Sequence, residues 1–145
     1  MESIVHHNLV KKIYEYVSSQ SVIKKSVIES DIFEVEGNVT RMQEGYVPDL
    51  YYKYNDLIII GEAKTENDLE RVHSINQFES YINHLENYSK IGYKSILIVS
   101  VPWQASISAY RIIKRIIKEK NIKLIIMNEL GVYKEYEKNN ITEWT

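Results

Sequence analysis

Two runs rich in aromatic and β-branched residues flank a two-residue turn near the middle of this chain, and that pattern leaves little choice of local fold. The first run is Tyr46-Val47-Pro48-Asp49-Leu50-Tyr51-Tyr52-Lys53-Tyr54, the turn is Asn55-Asp56, and the second run is Leu57-Ile58-Ile59-Ile60-Gly61-Glu62-Ala63-Lys64. Such a pair predicts a β-hairpin. With a two-residue turn, the numbers of paired residues sum to 111, which sets Asp49 directly opposite Glu62. Opposed side chains on an antiparallel pair have Cβ atoms about 4.5–5.5 Å apart, so the two carboxylates share a face. Lys64, two residues beyond Glu62, points to that face as well. Ala63 points to the other face and offers the site only its backbone carbonyl.

Two carboxylates, a carbonyl oxygen and an ammonium at the end of an apolar strand suit metal-assisted hydrolysis. Hard divalent cations such as Mg²⁺ take oxygen ligands, keep several waters and bind through one or two carboxylates together with substrate phosphate oxygens. Lys64 could orient an attacking water or accept its proton; burial lowers a lysine pKa and neighbouring carboxylates raise it, so the spacing leaves both roles open. A solvated charge cluster is the other reading of the same spacing. Pro48 favours a site, because proline in a strand is confined to edges, bulges and strand starts.

Pro48-Asp49 followed by Glu62-Ala63-Lys64 resembles the signature of the PD-(D/E)XK nuclease superfamily, also called restriction endonuclease-like. Gln77-Phe78-Glu79-Ser80-Tyr81 is similar to the Gln-x-x-x-Tyr element that several of its branches carry on the following helix. The resemblance spans residues 1 to 127 and implies an α/β fold of order αβββαβαβ, a central mixed β-sheet flanked by helices. It further implies that Asp49 and Glu62 bind Mg²⁺ or Mn²⁺, that Ala63 adds its carbonyl, and that Lys64 assists the attacking water on DNA. No glutamate of the first helix matches the third acid found in many members.

Composition narrows the rest. At 145 residues, 44% hydrophobic and 26% charged, the chain is expected to form one domain over residues 1–145, with 128–145 a C-terminal extension of no assigned structure. A net charge of −2 excludes a protein that coats nucleic acid by bulk charge, so phosphate contacts must come from a local patch. The absence of cysteine removes disulfides, thiolate nucleophiles and cysteine zinc sites. The N-terminus lacks the pattern of a secretory signal, and the longest apolar runs are strand length, so a cytoplasmic protein without a membrane partner is expected.

Along the chain, Val5, Leu9, Ile13, Tyr16 and Val17 recur at helical spacing within Ile4 to Ser18. Asp31 to Glu36 alternates as an edge or half-buried strand would, and a polar loop over residues 37–45 leads to the hairpin. Thr65 to Glu70 is expected to begin a helix, capped by Asn67, that buries Ile75, Phe78, Ile82 and Leu85. Tyr93 to Val101 reads as a strand stopped by Pro102. Ser106 to Lys120 reads as a helix with Ile107, Tyr110, Ile113 and Ile117 inward, and Ile122 to Met127 as a last strand. A strand-helix-strand unit implies a right-handed parallel crossover.

Gln77 and Tyr81 lie four apart on one helix face, one turn after His73 and ahead of His84. They are candidates to orient Lys64, a water or a phosphate, with boundary packing as the alternative; His73 and His7 are accessory candidates. His6 and His7 diverge by about 100 degrees on a helix and cannot readily chelate one ion together. Glu2, Glu15, Glu34 and Glu36 are further acids that read as solvated charges. Arg111, Lys114, Arg115 and Lys118 form a basic stripe suited to phosphates, or a solvated helix face. No Gly-rich phosphate loop, His-Glu-x-x-His or nucleophile elbow occurs. The expected function is a Mg²⁺-dependent DNA nuclease. Cutting both strands would call for a homodimer or two nicks. The alternatives are a nuclease-fold subunit that binds nucleic acid or a partner protein and does not cleave, and a nuclease subunit, inactive alone, of a larger defence, mobile-element or repair complex.

Overall fold

The strand Leu57–Ala63 has no polar side because it is covered on both faces, and all seven of its residues are buried. In a computed structural model that describes residues 3–30, 32 and 39–138, this segment is the third of six strands. β1 (Glu29–Ser30), β2 (Leu50–Tyr54), β3 (Leu57–Ala63), β4 (Lys94–Ser100), β5 (Lys123–Asn128) and β6 (Gly131–Tyr136) stand side by side in chain order. β3, β4 and β5 are mutually parallel, and the other pairings are antiparallel, so the sheet is mixed. The β2–β3 register runs from Tyr54↔Leu57 to Leu50↔Gly61, as the two-residue turn dictates. Asn55 and Asp56 take φ of 51° and 61°, the left-handed pair that a type I′ turn needs.

Helices cover both faces. α1 (Ile4–Ser19) opens on a Ser3 cap whose hydroxyl accepts from the His6 amide at 3.0 Å. It packs Ile13 and Val17 onto Leu50, Tyr52, Ile59, Ile96 and Ile98. α2 (Val72–Ser89) and α3 (Ser106–Ile117) lie on the opposite face, where Phe78, Tyr81, Leu85 and Ile113 meet Ile58, Ile60, Leu97 and Val99. Each such buried apolar side chain contributes about 1.5–3 kcal/mol. The α/β class with helices flanking a mixed sheet is therefore as expected. No helix among the described residues is long and apolar enough to cross a membrane.

Several local expectations need correction. The strand expected over 31–36 falls, apart from Ile32, outside the described residues, as do Glu2, Glu34 and Glu36; the described pairing with β2 is made by Glu29 and Ser30. Residues 131–136, left unassigned by sequence, form β6 against β5, while 139–145 lie outside the described residues. Thr65 to Glu70 is a chain of turns and not the start of a helix. There the Thr65 hydroxyl bonds the Asp68 carboxylate and Ser74 bonds the Asp68 carbonyl, so α2 starts only at Val72 and Asn67 does not cap it. Val5 is exposed because α1 begins a turn beyond the end of β3, where Leu9 and Val10 pack on Ala63. Ile107 is exposed because Ser106 faces inward to take a hydrogen bond from Asn128, which turns Ala109 rather than Ile107 to the sheet.

Gly61 is where helix and sheet come closest. A Cβ there would lie 2.8 Å from Ile13 Cγ2 and 3.2 Å from Leu50 Cβ. Gly61→Ala is expected to cost about 1–3 kcal/mol, and to cost less in an Ile13→Ala background, where the clashing Cγ2 methyl is gone. Urea unfolding of the two single variants and the double variant measures this.

Candidate active site

At its last residues β3 leaves the apolar core while remaining covered, so charged side chains are held where water is scarce. Asp49 and Glu62 occupy the next opposed positions of the β2–β3 register and are 8% and 4% exposed. The same register would pair Ala63 with Pro48, which has no N–H to give, so the ladder offers the Ala63 carbonyl no donor. The Ala63 amide turns instead to Asp49, donating to Oδ2 at 2.8 Å. Pro48 thus ends the ladder where carboxylate chemistry begins.

α2 supplies the other wall. Tyr81 donates its hydroxyl proton to Glu62 Oε1 at 2.9 Å, and Gln77 Nε2 donates to the Tyr81 oxygen at 2.9 Å and to Glu62 Oε2 at 3.4 Å. The Gln77 carbonyl oxygen accepts from Lys64 Nζ, which also stands 3.6 Å from Glu62 Oε2. Asp49, Glu62, Lys64, Gln77 and Tyr81 are therefore one connected group, drawn from a hairpin and the helix after it. Burial, then the neighbouring Asp49 carboxylate, push the Glu62 carboxyl well above the usual carboxylate range, while Lys64, the Tyr81 hydrogen bond and His6 pull it back. Burial and Glu62 raise the Tyr81 phenol, which keeps its proton and remains a donor.

The histidine that meets this group is His6, whose Nε2 lies 3.3 Å from Asp49 Oδ2. His7, the accessory candidate from sequence, is exposed. The signal was present: His6 continues the buried series Val10, Ile13, Val17 by one turn, and His7 falls outside it. His73 is also exposed, edge-on to Tyr46 with ring centroids 5.6 Å apart. His84 turns to Tyr51, 2.9 Å from its hydroxyl, and burial followed by Lys53 lowers its imidazole pKa. Glu15 is exposed.

Arg111, Lys114, Arg115 and Lys118 are exposed and are not brought to the carboxylates. α3 runs back along β4 and β5, so its last turns lie toward the opposite end of the sheet from Glu62. There the basic residues line a shallow depression of about 390 Å³ with Tyr110 and Tyr136. Lys114 Nζ sits 4.7 Å from the Tyr136 ring centroid, and Lys134 Nζ 4.5 Å from that of Tyr110.

The donor set at the carboxylate end is all oxygen: Asp49, Glu62 and the Ala63 carbonyl. It fits a hard divalent cation, because burial and then the neighbouring Asp49 carboxylate raise the Glu62 carboxyl, and a positive ion relieves both. Among the described residues no group of three His, Cys, Asp or Glu side chains is arranged to hold a metal, so waters or substrate oxygens would complete the shell.

Compared with known protein families and with curated proteins, the chain matches none. Two solved structures to which it is similar are an XisH family protein from Nostoc punctiforme and the small subunit of the heterodimeric restriction endonuclease R.BspD6I. The first is 18% identical, covering 92% of this chain and 99% of that one with a TM-score of 0.44. The second is 15% identical, covering 84% and 72% with a TM-score of 0.39. Superpositions this loose transfer no residue role, and the site stands on its own geometry.

A carboxyl whose folded pKa is raised contributes stability below its unfolded value of 4.5, and loses it as pH rises through the folded pKa. In chelator, Glu62→Gln is expected to gain on the wild type as pH climbs, by up to about 1.4 kcal/mol per pH unit across that window. Urea unfolding of both proteins from acid to alkaline pH gives the difference directly.

Proposed function

We propose that the chain is a divalent-metal-dependent nuclease that hydrolyses DNA phosphodiester bonds. The supporting observation is the convergence of Asp49 and Glu62 at the register position where Pro48 ends the ladder, with Lys64 held beside them by Gln77. Asp49, Glu62 and the Ala63 carbonyl would hold Mg²⁺ or Mn²⁺, which supplies charge stabilisation to the phosphoryl group and lowers the pKa of water.

The chain's own groups have separate tasks in this reading. Tyr81 fixes Glu62 through one oxygen, leaving the other toward Gln77 and Lys64. Gln77 carries the contact from Tyr81 to Lys64 and sets the ammonium beside Glu62. Lys64 orients the attacking water or shuttles its proton, and its hydrogen bond to Gln77 keeps it from closing fully onto Glu62. His6 braces Asp49 from α1. The basic patch on α3, joined by Lys134, would hold the duplex backbone away from the cut. From ideal strand spacing and helix rise, it lies about 20 Å from Glu62, or roughly six base pairs.

A second reading keeps the fold and drops cutting: a subunit that binds nucleic acid or a partner protein without cleaving. The lack of a ready three-ligand cage among the described residues favours it. Calorimetry with Mn²⁺ separates the two, since a working site takes up the ion and loses it in Asp49→Asn.

With Mg²⁺ or Mn²⁺ and a panel of linear and branched DNA, the wild type is expected to cut. Asp49→Asn and Glu62→Gln should abolish cutting, and Lys64→Ala should slow it by at least about 100-fold. Unchanged rates in all three would refute the assignment. The double variant Lys114→Glu, Arg115→Glu should weaken DNA binding of the Glu62→Gln protein and flatten its dependence on log salt by about 0.9 for each phosphate no longer neutralised.

A further inference from the structure

β4 carries the chain from the carboxylate end of the sheet directly to an exposed tryptophan. Ser100 lies opposite Ala63 in the β3–β4 register, and its carbonyl accepts from the Lys64 amide at 3.0 Å. Trp103 follows three residues later, so its backbone stands within about 10 Å of that contact. The residue is 61% exposed. Among the described residues its ring meets no other ring and no cation, whereas Tyr46 is paired with His73 and lysines cover Tyr110 and Tyr136.

The backbone beneath that bare ring is fixed. Trp103 donates its amide to Glu129 Oε1 at 2.7 Å, and the Ala105 amide closes a tight turn by donating to the Pro102 carbonyl at 2.9 Å. A large ring held in water without a packing partner costs free energy, which a flat ligand on its face recovers. The groups around it select that ligand. Glu129 brings a carboxylate to the Trp103 amide, and the next residue, Gln104, lines a polar cavity of about 360 Å³ with Glu66, Asn67, Glu70 and Ser108. These acids repel a phosphate, so a nucleic-acid backbone is not what the ring receives. Amides, a hydroxyl and carboxylates offer donors and acceptors to the edge of a base, and the indole offers its face a stacking partner. A base gives up its face only when it is unpaired or drawn out of its stack.

From this we infer that Trp103 is a stacking platform for an unpaired base next to the scissile phosphate, and that the substrate is a duplex bearing unpaired nucleotides. The paired part would lie on the basic patch of α3, where phosphates meet cations, and the unpaired part at Trp103, where they do not. The inference rests on the nuclease reading for the position of the cut. The stacking contact itself requires neither metal nor cleavage, so the two can fail separately.

Trp144→Phe removes the second of the chain's two tryptophans, so that emission reports Trp103. In chelator, a duplex extended by an oligothymidine overhang is expected to quench this emission and, by anisotropy of labelled DNA, to bind about tenfold more tightly than the same duplex with blunt ends. Trp103→Ala should lose that preference with the slope of log affinity against log salt unchanged, because no phosphate contact is removed, and Trp103→Phe should keep most of it. Both variants are expected to retain the circular dichroism and melting temperature of the wild type. With Mn²⁺ the wild type should cut the overhanging duplex several-fold faster than the blunt one, and Trp103→Ala should cut the two alike. Absence of quenching, equal affinity for the two DNA forms, or a preference for the overhang that survives Trp103→Ala would overturn the inference; cutting by the wild type would then leave the nuclease reading standing without it. Quenching and a Trp103-dependent preference in a chain that cuts no DNA with either metal would support the stacking contact and count against the nuclease reading alone.

Discussion

The burial of two like charges at the end of β3 is the constraint around which the rest of the molecule is arranged. A carboxylate removed from water is costly unless it is paired and hydrogen-bonded, and a second one beside it raises the cost. Each neighbour answers that demand. Tyr81 and Gln77 donate to Glu62, the Ala63 amide and His6 approach Asp49, and Lys64 brings a positive charge within 3.6 Å. Even so, the Glu62 carboxyl stays well above the usual range, so the neighbours offset the cost only in part. A group left in that condition holds a proton or accepts a cation, and oxygen ligands on a rigid strand suit the cation.

Rigidity comes from the position of β3 in the sheet. It is paired on both edges, antiparallel to β2 and parallel to β4, and packed on both faces, with α1 on one and α2 on the other. Gly61, next to Glu62, lets Ile13 approach so closely that no side chain fits between them. The carboxylates are thus fixed by a framework that has little freedom to relax, which is what a preorganised site needs. The same tightness explains why Pro48 and not a flexible loop ends the ladder: a proline withdraws a single donor without loosening the strand.

Chemistry is distributed unevenly over the surface. The carboxylates sit at one end of the sheet, and the lysine-arginine patch with its tyrosines lies toward the other. The tyrosine rings under Lys114 and Lys134 hold those ammonium groups by cation–π attraction and keep them grouped. A net charge of −2 therefore conceals a strongly cationic area among the described residues.

The hairpin, its register and the pairing of Asp49 with Glu62 could be read from the residues alone, because a two-residue turn fixes the register by counting and strand alternation fixes the faces. The helix that carries Gln77 and Tyr81 was legible for the same kind of reason, since spacing by four puts two side chains on one face. What the chain order could not decide was how elements meet. Which of His6 and His7 faces Asp49 depends on the rotation and overhang of α1 above β3. The exposure of Val5 and Ile107 depends on where the sheet stops beneath two helix starts. The separation of the basic stripe from the carboxylates follows from the direction in which α3 crosses back. Local spacing records interactions within one element, whereas these outcomes are set by contacts between elements far apart in the chain, and only the packed structure determines them.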